Sequence, residues 1–141
     1  MGVPSDIGLP NFVSEALALL DSELDSLVHD AATGSSAERQ FVEYHVRTIR
    51  RQASNFEGGK PAASEPAAPN FQREMTGAVL ARTRRMRRLL DERVLPWCQQ
   101  IDVVGNSWLQ GLTRLLAAIY ALEFPLEAQH PDLADHGPSP G

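Results

Sequence analysis

The chain predicts an all-α fold, a four-helix bundle-like arrangement of two helical hairpins, on three observations. Apolar residues recur every three or four positions, and no stretch alternates with the period of two that a half-buried strand requires. Helix-start signatures stand at the heads of the apolar runs, and segments rich in Gly and Pro separate them. At 141 residues, 43% hydrophobic and 22% charged, the chain has the composition of an ordinary globular protein and length enough for one core. The expected organisation is an N-terminal extension over 1–10, a single helical domain over 11–128 and a disordered tail over 129–141.

The first helix follows from Val13, Leu17, Leu20, Leu24, Leu27 and Ala31, with Leu19 and Val28 widening the stripe. Asn11 is its expected N-cap and Gly34 its C-terminal stop. Five acids, Glu15, Asp21, Glu23, Asp25 and Asp30, run along it, and Asp30 stands against the negative end of the helix dipole. The second helix opens on Ser35-Ser36-Ala37-Glu38, a capping box in which the Ser and Glu side chains satisfy free amides reciprocally. Its buried stripe is Val42, Val46, Ile49, Ala53 and Phe56, with Phe41 and His45 beside it. The turn between the two helices is short enough to demand an antiparallel hairpin.

Residues 57–69 carry two Gly and three Pro and read as a flexible linker. Fully extended they reach about 40 Å, so either direction of connection is open. The third helix is expected from Asn70-Phe71 through Met75, Val79, Met86, Leu90, Val94, Trp97, Ile101 and Val104, ending at Gly105-Asn106. It is long, and Pro96 should kink or divide it. The fourth helix starts at a second capping box, Ser107-x-x-Gln110, and is apolar nearly all round from Trp108 to Phe124, as central helices are. Pro125 should end it. One motif occurs twice, Pro10-Asn11-Phe12-x-x-Glu15 and Pro69-Asn70-Phe71-x-x-Glu74, and reads as a helix-start signature used twice rather than a duplication.

Charge is sorted along the chain. Residues 1–38 net −7 with no Lys or Arg, residues 39–93 net +6, and residues 94–141 net −4. The positive segment centres on Ala81-Arg-Thr-Arg-Arg-Met-Arg-Arg88. By helical angle Arg82 and Arg93 fall near the apolar face, where a guanidinium needs a carboxylate, and the acids of the first helix are the expected suppliers. Arg84, Arg85 and Arg88 fall opposite and are expected to face solvent.

No catalytic, cofactor or metal site is expected. There is no Gly-x-Ser-x-Gly, no phosphate-cradling Gly-rich loop and no His-Glu-x-x-His. His130, Asp132, Asp135 and His136 are suitable metal ligands in a tail without a supporting shell, and Asp25 with His29 lacks partners on other helices. The lone Cys98 excludes an intramolecular disulfide and reads as a buried structural thiol, which fits a reducing, cytoplasmic setting. The N-terminus has neither a secretory nor a myristoylation pattern, and the fourth helix is too short and polar to span a membrane.

The expected function is therefore binding: an adaptor, chaperone-like or structural subunit, oligomeric or seated on a protein partner with an apolar or acidic surface. Its expected contact residues are Arg84, Arg85, Arg88, Trp97, Trp108, Leu112 and Tyr120. The alternative is a nucleic-acid-associated protein using the Arg-rich face of the third helix, with Arg87 added.

Overall fold

The four periodic stretches become four helical columns in the computed structural model, which describes residues 10–54, 67–100 and 107–133. Expectations placed on Phe56, most of the linker, Ile101 to Asn106, the Ser107 side chain and the tail from 134 lie outside those residues. In chain order the elements are α1 (Asn11–Ala31), α2 (Ser36–Ser54), α3 (Arg73–Leu89), a π-helical turn (Leu90–Val94), α4 (Leu95–Gln100), α5 (Ser107–Gln129) and a 3-10 turn (Pro131–Leu133). Among the described residues there is no strand.

Contacts run α1–α2, α1–α3, α2–α5 and α3–α5, which closes a square with α1 opposite α5 and α2 opposite α3. Ion pairs give the directions. Arg50, late in α2, holds Asp21 and Asp25 midway along α1. Arg82 reaches Glu23 and Asp30, while Arg84 and Arg87 reach Glu127 and Glu123 of α5. Every neighbouring pair is thus antiparallel, and the connection from α2 to α3 returns the chain to the end where α2 began. α2 has 19 residues, a length of about 28 Å that the linker can span with slack.

α1 buries Val13, Ala16, Leu20, Leu24, Leu27 and Ala31. Leu19 is largely exposed, because it lies about 100° round the helix from Leu20 and beyond both flanking helices. Asn11 is the first helical residue, not the cap. The Pro10 carbonyl accepts the amides of Val13 and Ser14 at 3.0 and 2.9 Å, and no side chain caps this end. α1 stops at Ala31, and Gly34 is a close approach: a Cβ there would stand 2.7 Å from both Glu38 Oε1 and the Met75 methyl, so those side-chain ends would have to shift.

The capping box forms as expected. Ser35 N–H donates to Glu38 Oε1 at 2.7 Å and Glu38 N–H to Ser35 Oγ at 3.1 Å. The other Glu38 oxygen accepts the Gln72 amide at 2.9 Å, so one buried carboxylate serves the starts of both α2 and α3. Burial alone would raise the Glu38 pKa, but the Ser35 and Gln72 hydrogen bonds favour the anion and hold it below the ordinary value.

α3 begins at Arg73, two residues after the expected Phe71. Phe71 instead lies in an extended lead-in with its ring in the core, edge-on to Phe41 at 5.7 Å. Beyond Met86 the buried stripe runs Leu90, Val94, Cys98, at steps of four. A uniform α-helix would rotate such a stripe off the core, about 40° per step. The π turn absorbs the drift: Leu95 N–H bonds to the Leu90 carbonyl five residues back, which accommodates one extra residue. The expected disruption at Pro96 therefore takes the form of a widened turn just before the proline.

Pro125 does not end the last helix, which continues to Gln129. Leu126 is fully buried and the Gln129 amide is fixed at both ends, accepting from Phe71 N–H at 2.8 Å and donating to the Pro69 carbonyl at 2.7 Å. These tertiary contacts offset the one backbone bond that Pro125 cannot make. The tail expected to be free from Gln129 is docked as far as Leu133.

Candidate functional site

The arginine-rich segment of α3 lies between the acids of α1 on one side and those of α5 on the other. Arg82 bonds Glu23 at 2.9 Å and Asp30 at 3.1 Å. The expected pairing with α1 is made, and it neutralises the one α1 acid that opposes its helix dipole. Arg93 is exposed instead, and no ion pair joins it to α1 among the described residues. The extra residue of the π turn is the reason. Seven residues beyond Met86, about two α-helical turns, Arg93 would lie beneath it, but the wide turn gives that place to Val94.

Arg84 was expected to face solvent and does not. It is half-buried, with Nη2 donating to Glu127 at 3.2 Å and to the Leu133 carbonyl. Arg87 is held more deeply: its Nε donates to Glu123 at 3.0 Å, its Nη1 to the Tyr120 hydroxyl at 3.3 Å, and its guanidinium lies 4.9 Å from the Tyr120 ring centre. Glu123 is 1% exposed, so this is a desolvated pair with hydrogen bonds to support it. Arg85, with a side chain 63% exposed, approaches Glu23 no closer than 3.8 Å, and Arg88 is exposed. The outward charge of the segment is reduced to those two residues.

Glu123 and Glu127 are the partners that sequence reasoning missed. Their signal was present, because Glu123 is an acid that interrupts an otherwise apolar helix, and such a residue needs a cation.

The expected apolar and aromatic contacts divide. Leu112 is 1% exposed and belongs to the core, so it presents nothing to a partner. Trp97 and Trp108 are half-buried and pack on one another, ring centres 5.4 Å apart, where α4 meets the start of α5. Tyr120 is half-buried and stacks on Phe124, ring centres 5.2 Å apart and 22° from parallel. Phe124 itself is 59% exposed, and Ala117 and Ala128 are exposed as well.

Several of the groups that could do chemistry are buried or engaged. Burial pushes the Cys98 thiol up to about 11, which disfavours the reactive thiolate. Burial also pushes His45 down to about 4; its Nε2 has no hydrogen-bond partner, and its ring packs between Phe41 and Tyr44. Asp25 is held by Arg50, Asp132 by Arg73, and His130 lies against the Phe71 carbonyl. Among the described residues no group of three His, Cys, Asp or Glu side chains could hold a metal ion, and no helix is long and apolar enough to cross a membrane. The chain matches no family model, no curated protein and no solved structure, so its geometry alone bears on function.

Proposed function

We propose that the chain is a non-catalytic helical binding module, engaging either a second copy of itself or a protein partner through the outward faces of α5 and α3. One observation carries this reading. From Leu115 to Phe124 α5 has one charged residue, the buried Glu123, yet Leu116, Ala118, Tyr120 and Ala121 are half-buried and Ala117 and Phe124 are exposed. A helix apolar all round is ordinarily covered all round. Here Ala117, Phe124 and Ala128 remain open, and the Tyr120–Phe124 stack stands beside Arg87. Exposed aromatics beside a guanidinium are the side chains that dominate interface energies. The nucleic-acid reading draws less support, because Arg84 and Arg87 are already committed to carboxylates.

Light scattering over a range of protein concentrations tests the proposal. The wild-type chain should self-associate, or should hold a protein partner from its own cell. Phe124→Asp should abolish that association while leaving the circular dichroism spectrum unchanged. A wild-type chain that stays monomeric and retains no partner would overturn it.

A further inference from the structure

The segment after α5 occupies a seat on α3. His130 Nε2 lies 2.8 Å from the Phe71 carbonyl, Asp132 pairs with Arg73, and the Leu133 carbonyl accepts from Arg84. The Leu133 side chain packs against the core. Three of these four residues thus make a side-chain contact to a backbone carbonyl, an ion pair, a carbonyl contact and an apolar contact, all to α3, its lead-in or the core beneath. Arg73 and Arg84 are eleven residues apart, about three turns along one side of the helix. Arg73 supplies the charge, and Arg84, whose own charge is met by Glu127, supplies a donor to the segment's backbone, beside an apolar seat.

One of these contacts is open to solvent. Pro131 and Asp132 are exposed, and the Arg73 and Asp132 side chains stay 60% and 54% open to solvent. Ion pairs that exposed contribute little. Beneath the segment, Arg84 Nε is buried with no hydrogen-bond partner.

We propose that this seat is a docking site for an extended acidic segment of a partner protein, a carboxylate followed by an aliphatic residue. The chain's own His130–Leu133 segment is its intramolecular occupant, displaced when the partner binds. The inference rests on the reading of the chain as a binding module and names the chemistry of its partner.

The test uses the full-length chain carrying Asp132→Ala and Leu133→Asp, which should vacate the seat without shortening the protein. The probe is a fluorescent peptide of residues 128–136, followed by anisotropy. The substituted chain should bind it saturably. The wild-type chain should bind about tenfold more weakly or worse, because a tethered segment competes at an effective concentration on the order of millimolar. Adding Arg73→Glu should abolish binding of the natural peptide, and a peptide with Asp132→Lys should restore it. Equal binding to wild-type and substituted chains, no binding to a folded substituted chain, or indifference to Arg73→Glu would each overturn the proposal. So would unfolding of the substituted chain, which would make the segment a structural part rather than an occupant. If the peptide fails to bind while Phe124→Asp still disrupts association, the docking inference fails and the binding module stands.

Discussion

Phe12 and Phe71 stand in the same local sequence, Pro-Asn-Phe-x-x-Glu, and have opposite fates. Phe12 lies inside the first turn of α1 and is 49% exposed; Phe71 lies outside α3 and is 4% exposed. The difference comes from what surrounds each motif. Around Phe71, Gln129 takes the Phe71 amide and the Pro69 carbonyl, His130 lies on the Phe71 carbonyl, and Glu38 accepts the Gln72 amide. The bonds to the Pro69 and Phe71 carbonyls occupy acceptors that an earlier helical turn would use, so the helix starts later and the ring turns inward. At the first motif the Pro10 carbonyl simply begins the helical ladder. A short motif can specify that a helix is near, but not which residue opens it.

The comparison breaks most sharply on truncation of the two rings. Phe71→Ala should destabilise the fold by about 3–5 kcal/mol, because it empties a buried aromatic site against Phe41. Chemical denaturation measures this directly, and a loss near zero would mean that the ring is not seated as described.

Acid should act on the same seat. Phe71 packs on Phe41, which packs on His45, ring centres 4.5 Å apart. Burial lowers the His45 pKa from 6.5 to about 4, so the unfolded chain takes up the proton first. Stability from this group is full above pH 6.5 and is lost as pH falls toward 4, by about 3 kcal/mol over the window. His45→Leu should flatten the denaturation midpoint across that range, and an unchanged profile would place the acid sensitivity elsewhere. Glu38 works in the same direction at lower pH, because its depressed pKa makes it stabilising above the ordinary carboxylate range and lost below it.

Glu38→Ala should cost about 2–3 kcal/mol, since it removes a capping box and leaves the Gln72 amide without its acceptor. Gln129→Ala should cost about 1–2 kcal/mol by freeing the Phe71 amide and the Pro69 carbonyl. Hydrogen exchange at the Phe71 amide should rise in that variant, which separates loss of this clasp from general destabilisation. Phe12→Ala, the smallest effect, should stay within about 0.5 kcal/mol. A large loss there would show that the first motif too is covered.

Much of the candidate site was legible from periodicity and charge. Arg82 was assigned to α1 because its helical angle put a guanidinium beside apolar residues, and Glu23 with Asp30 are the partners. Arg93 carried the same signal and failed, because angles counted along a uniform helix do not survive a π turn. Arg84 failed for another reason. Its partners lie on Glu127 and the Leu133 backbone, more than forty residues away, and no wheel drawn on α3 alone contains them.

By itself, the sequence determined the all-α class, the α1–α2 hairpin and the capping box, because these depend on interactions within a few residues or on a periodicity that one helix carries. Only the tertiary structure decided that α2 and α3 run in the same direction, that Pro125 lies inside a helix, that Phe71 is buried while Phe12 is not, and that the arginines of α3 divide between α1 and α5. Each of those outcomes depends on groups far apart in the chain. Burial and pairing are properties of the assembled neighbourhood, which a one-dimensional pattern constrains only through the faces it offers.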